Sequence, residues 1–168
     1  MHSSVRPFAL SALLLGSLAA AQQTAQALKV SLGLDLVTAR TVDGKTTETL
    51  TPSPRSVLPG QLLRQEAVVA NVSGRAVRNS VITVPVPRST AFVGSATPSS
   101  VRWNTVYSID GGKTYAATPK KTVTVTENGK SVTKEIAAPP AEYTNVRWQV
   151  GELAAEETLR FGFRVRVQ

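Results

Sequence analysis

Few side chains in this sequence are of a type that does chemistry, and their spacing says what kind. Asp110 stands between Ser108 and Gly112, with Thr114 and Tyr115 just beyond. A carboxylate so placed accepts backbone N–H bonds from its own tight turn and needs no ligand. Glu152, Glu156 and Glu157 gather near one turn and offer oxygen ligands to a hard cation. Their spacing is not that of a calcium loop, which favours a solvated acidic turn. Arg160, Arg164 and Arg166 recur at even positions, and together with Lys120 and Lys121 they suit anionic groups. No aromatic side chains interleave on the arginine face, so nucleic acid is not an expected partner. Trp103, flanked by Arg102 and Asn104, reads either as a core ring or as a surface ring on which a sugar stacks. Asn71-Val72-Ser73 fits the glycosylation sequon, whose meaning depends on the host's secretion pathway.

What is missing is as informative. The 168 residues contain no Cys, the only His is His2 and the only Met is Met1. The first residues have the layout of a secretory signal peptide: Arg6, an apolar stretch over residues 8–18, then Ala19, Ala20 and Ala21. Cleavage is expected after Ala21, with Ala25 and Ala27 forming a second small-residue pair nearby. The apolar stretch is about half the roughly 20 residues a membrane-spanning helix needs, so no transmembrane segment is expected. Residues 22–168 carry no His, Cys or Met. Histidine general bases, thiolate nucleophiles, N/S zinc sites, haem ligation and soft copper sites are thereby excluded. No catalytic, cofactor-binding or metal residue is nominated. The formal charge of +8, one less without Arg6, favours acidic partners such as anionic wall polymers or acidic protein surfaces.

Those candidates must be carried by strands. Residues 29–42 alternate Val30, Leu32, Leu34 and Leu36 against polar neighbours, Asp43-Gly44 supplies a two-residue hairpin turn, and residues 45–51 return. Two prolines, Pro52 and Pro54, end that pair. Further runs cover residues 62–71, 76–84, 101–109, 114–117, 121–126 and 130–136, the last two joined by Asn128-Gly129. The ribbon at residues 121–136 reads as an edge hairpin. Residues 143–150 and 158–167 close the chain, and in the last run Phe161, Phe163, Val165 and Val167 share one face while Arg160, Gly162, Arg164 and Arg166 share the other. Trp148 is expected between the sheets. No stretch shows a helical stripe, and a chain of this size can bury a core without disulfides.

Several of these residues together resemble a known family. Leu58-Pro59-Gly60, Asn71 with Ser73-Gly74, Val77-Arg78-Asn79, Pro85-Val86-Pro87, Thr90-Ala91-Phe92-Val93, Arg147-Trp148 and Gly151-Glu152-Leu153 before Glu157-Thr158 are similar to the conserved repeat domain of bacterial surface proteins, domain of unknown function eleven. The resemblance covers roughly residues 55–168. It implies an immunoglobulin-like sandwich in envelope, adhesin-like or surface-layer proteins, with no catalytic residues to carry over. Val84 stands where that family commonly has an acidic residue, and residues 95–140 are longer than a minimal copy needs. The turn at residues 108–115 separately resembles the Asp-box of sialidases and other propellers, though a single copy cannot make a propeller.

The expectation is an all-β, immunoglobulin-like antiparallel β-sandwich with extra hairpins: residues 1–21 a signal peptide, 22–54 a strand and hairpin segment, 55–168 the repeat domain. Residues 28–51 pair either within this domain or with a neighbour. The expected function is that of a non-enzymatic, exported envelope or surface component acting structurally or through a protein partner. The alternative is a carbohydrate or anionic wall-polymer binding module. Its interaction surface would use Trp103, Arg160, Arg164 and Arg166, without a cofactor.

Overall fold

The computed structural model describes residues 27–168. The expected signal peptide and the residues just after its cleavage site lie outside the described residues. Ten strands follow in order: β1 (Leu28–Val42), β2 (Lys45–Pro52), β3 (Leu62–Asn71), β4 (Val77–Pro85), β5 (Thr90–Gly94), β6 (Trp103–Ser108), β7 (Lys120–Glu127), β8 (Lys130–Ala137), β9 (Asn145–Leu153) and β10 (Thr158–Val167). A single 3-10 turn, Pro140–Glu142, precedes β9. Among the described residues no helix is long and apolar enough to cross a membrane.

The strands form an antiparallel five-stranded sheet in the order β2-β1-β3-β10-β5, a three-stranded sheet β4-β9-β6, and the separate ribbon β7-β8. The two larger sheets stack as a sandwich. β3 shows why: its residues alternate intermediate and buried without a break, the period-two pattern of a strand with one face in a core. From β3 come Leu63, Ala67 and Val69, from β10 Phe161, Phe163 and Val165, and from the facing sheet Ile82, Val84, Val146, Trp148 and Val150. Trp148 is fully buried, as expected, and its ring stacks on Phe161 with centroids 5.0 Å apart. Its indole N–H donates to the Thr97 carbonyl at 3.0 Å, so the polar end of the ring is satisfied inside the core. Burying each such side chain contributes about 1.5–3 kcal/mol.

Both dipeptide turns take the conformation their sequence demands. Asp43 and Gly44 have φ of 49° and 75°, and Asn128 and Gly129 have 50° and 76°. Positive φ at both central residues makes a turn whose twist matches the strands it joins.

Four expectations change. Residues 28–51 pair within this chain, since Leu28 to Val37 lie against β3 from Asn71 to Leu62. The alternation of β1 does not make all four apolar residues core: Leu34 and Leu36 pack against it, but Val30 and Leu32 are more than half exposed. The facing sheet has only three strands and does not extend over that part of the five-stranded one. Residues 114–117 form no strand, only a bridge between Tyr107 and Ala116. Finally, β5, not singled out as a strand, pairs with β10 through a bulge at Arg164/Val165.

Candidate functional site

The arginine face of β10 lies on the outside of the five-stranded sheet and is already partnered. Arg164 donates twice to Glu48, at 2.8 and 2.6 Å. β1 and β3 intervene between β10 and β2 in the sheet, so the β1-β2 hairpin must fold over the outer face for Glu48 to arrive. The Arg164 bonds hold the Glu48 carboxyl below its ordinary range and push the guanidinium higher still. Arg160 reaches Glu66 at 3.2 Å, Arg64 also pairs with Glu66, and Arg166 donates to the Gly60 carbonyl at 2.8 Å. Between them runs a groove of about 600 Å³ lined by Arg64, Glu66, Thr97, Pro98, Arg160 and Arg164. Gly162 forms its floor: a Cβ there would sit 3.1 Å from the Gln65 carbonyl. Three guanidiniums against the carboxylates of Glu66 and Glu48 leave the groove with an excess of one positive charge.

Trp103 is not on that face. Its ring packs edge-on against Phe161 at 5.3 Å, its N–H donates to the Pro98 carbonyl at 2.9 Å, and it is half-buried at the margin of the core. Its remaining surface lines a different cleft of about 410 Å³, with Asn79, Val81, Arg102, Asn104 and Gln149. The Arg102 guanidinium lies 6.0 Å from the Trp103 ring centroid and is held by Glu157 at 2.8 Å. Ser80 also lines this cleft, and its hydroxyl is the one buried side-chain polar atom among the described residues without a protein partner. The structure therefore separates Trp103 from Arg160, Arg164 and Arg166 rather than gathering them. Sequence reasoning missed Arg147, whose guanidinium stacks 3.4 Å above the Tyr115 ring while its Nε donates to Thr83. Its position next to core-facing Trp148 already put it on the outer face.

The acidic trio is dispersed as well. Glu152 pairs with Arg78 at 2.9 Å, while Glu157 accepts from the Ala154 N–H and from Arg102, which together lower its pKa. Among the described residues no three potential metal ligands stand together. Lys120 and Lys121 pair with Glu135 and Glu142.

Two turns are organised by side chains. Asp110 accepts from the Ser108 hydroxyl, the Lys113 and Thr114 N–H groups and the Thr114 hydroxyl, at 2.6–3.0 Å. The Thr114 hydroxyl and N–H, with Ser108 behind them, hold its carboxyl far below the ordinary carboxylate range. Asn71 is 2 % exposed, and its amide donates to the carbonyls of Arg75, Leu153 and Ala154 at 2.8, 3.2 and 2.7 Å. Its oxygen accepts from the Ser73 N–H and hydroxyl. A sequon asparagine with its amide so committed is closed to glycosylation in the folded chain.

The β7-β8 ribbon hydrogen-bonds to neither larger sheet along its strands. On one side of it Val125 lies opposite Val132, Val123 opposite Lys134 and Ile136 opposite Lys121, and Val132 and Ile136 are exposed at 36 % and 41 %. No family model, curated protein or solved structure matches the chain.

Proposed function

We propose that this chain is a non-enzymatic component of an exported cell-envelope or surface assembly, working through protein contacts made by its projecting ribbons. One observation carries the reading: β7-β8 stands apart from both sheets with Val132 and Ile136 uncovered. A two-stranded ribbon is marginal in water on its own, and one with exposed apolar side chains gains when a partner surface covers them. The immunoglobulin-like character of the sandwich and its likeness to the conserved repeat domain belong to this proposal and rest on the residues that carry the resemblance. Export rests on the layout of residues 1–21.

The test is site-specific photocrosslinking in intact cells from position 132, compared with position 46 on β2. Adducts of one defined mass from the ribbon, abolished by Ile136→Glu while the unfolding midpoint is unchanged, support the proposal. A ribbon that crosslinks nothing in the native envelope removes it.

A second reading, a carbohydrate or anionic wall-polymer module, is favoured by the cleft at Trp103. Asn79, Asn104 and Gln149 there surround one aromatic edge with planar polar groups. Sugar sites commonly combine such groups with an aromatic face. Co-sedimentation with purified wall polymer, lost in Asn104→Ala and Gln149→Ala, would establish it. Equal sedimentation of wild type and both variants would discard it.

A further inference from the structure

Four outer strands of the sandwich are guarded at their edges. β2 carries the charges of Lys45 and Glu48 and ends on Pro52, with Leu50 its one large apolar residue. β4 carries Asn79 at a φ of 52° and ends on Pro85, which has no N–H to offer. β5 is five residues long and ends at Gly94 with φ 116°. β6 is met by Ala116, which exchanges both backbone bonds with Tyr107, and by the Ser99 hydroxyl at the Thr105 N–H. Bulges, prolines, short length and cover are the ordinary devices that keep strand edges from pairing with other chains.

The edge at residues 28–33 of β1 has none of these. β2 pairs with β1 only from Asp35 onward. The hydrogen-bond phase is fixed at both ends: Val72 N–H donates to the Ala27 carbonyl and Ser53 N–H to the Leu34 carbonyl, both at 2.9 Å. Bonds alternate sides along a strand, so odd residues face β3 and even ones face outward. Leu28, Val30 and Leu32 therefore aim their N–H and C=O groups at an edge to which no described residue bonds. The same residues project their side chains from one face, where Val30 is 53 % and Leu32 57 % exposed.

We infer that this edge pairs with the same edge of a second copy, antiparallel, about a two-fold axis at Val30. The register is self-complementary. Val30 meets Val30, Leu28 meets Leu32, and every outward-facing backbone group finds its counterpart, because the opposed residues are all even-numbered. Lys29, the only charge in the window, falls opposite Ser31, so no like charges are opposed. The open window ends where Ser53 takes the Leu34 carbonyl, which leaves room for a pairing centred on Val30 and stops one displaced further along β1. The result joins two five-stranded sheets and covers the apolar pair that the small sheet leaves bare. This contact uses a different element from the ribbon and does not depend on it.

Sedimentation equilibrium of the chain from residue 22 tests the inference. A strand edge of this length buries less than the roughly 1,200 Å² of a standard interface, so half-association is expected on the order of 100 µM. Val30→Lys sets two ammonium groups against each other across the axis and should weaken association about tenfold or more. Its side chain is exposed, so the unfolding midpoint should stay put. A nitroxide on Ser31→Cys, the only thiol in the chain, comes within about 10 Å of its copy across the junction. Its spectrum should broaden on association and sharpen on dilution with unlabelled protein. A species that stays monomeric to about 1 mM, or a dimer that Val30→Lys leaves intact and that shows no broadening, would overturn the inference.

Discussion

The turn at Asn71 and the turn at Asp110 use the same device, a short polar side chain in place of missing backbone partners, and they teach opposite lessons about what such a device holds. Asp110 bonds only to residues 108–114, so it closes a local loop at the protein surface. Asn71 bonds to Leu153 and Ala154, more than 80 residues away, and clips the β3-β4 turn to the end of β9. One side chain shapes a loop; the other joins the two layers of the sandwich at one end. Burial widens the gap, because the Asn71 bond to Leu153 is buried while most of the Asp110 bonds are exposed.

The sharpest way to break this comparison is Asn71→Ala. It removes the bonds to three carbonyls, of which that of Leu153 is buried and those of Arg75 and Ala154 are partly so, and should cost about 2–3 kcal/mol in denaturant unfolding. A loss under about 1 kcal/mol would show that the clip is dispensable. Asp110→Ala should lower the unfolding midpoint by roughly half that shift or less, and hydrogen exchange should quicken at Lys113 and Thr114 before it changes in β9.

Acid separates the two turns again. The folded pKa of Asp110 is depressed, so its bonds stabilise the native state fully above about pH 4, the ordinary carboxylate range, and are lost as pH falls below it. Stability of the wild type should fall more steeply below that pH than stability of Asp110→Asn, whereas Asn71 contributes no slope. Identical acid profiles for wild type and variant would contradict the assignment.

Glycines give the finest test. Gly112 has a φ of +89° and a Cβ there would meet the Tyr115 hydroxyl at 2.8 Å, so Gly112→Ala should cost about 1–2 kcal/mol. Gly74, in the Asn71 turn, has open space around it and no positive φ, so Gly74→Ala should change stability by less than about 0.5 kcal/mol.

Much of the architecture was legible because its signals are local. Asp43-Gly44 and Asn128-Gly129 state their turns in two residues, and the alternation around Trp148 states which side is core. The surfaces were not legible in the same way. Alternation put Arg164 on an outer face, but its partner Glu48 is 116 residues away, reached only because one hairpin folds across the sheet. Period-two reasoning put Val30 and Leu32 on one face with Leu34 and Leu36, and it says nothing about whether a second sheet reaches that far. Trp103 was open between two readings from its neighbours alone. The structure gives it a share in each, edge-on to Phe161 and bordering a cleft.

The placement of β3 bears on how the molecule comes into being. It sits between β1, which precedes it, and β10, which ends the chain, with Ala67 opposite Phe161. A polypeptide emerging from its amino end can zip β1 to β3 early, yet the other half of that strand's ladder waits for β10. Closing such distant segments is slow compared with local hairpin formation, so refolding is expected on a millisecond-to-second timescale. Without β10 the core lacks Phe161, Phe163 and Val165, so the interior is sealed only when this distant strand docks.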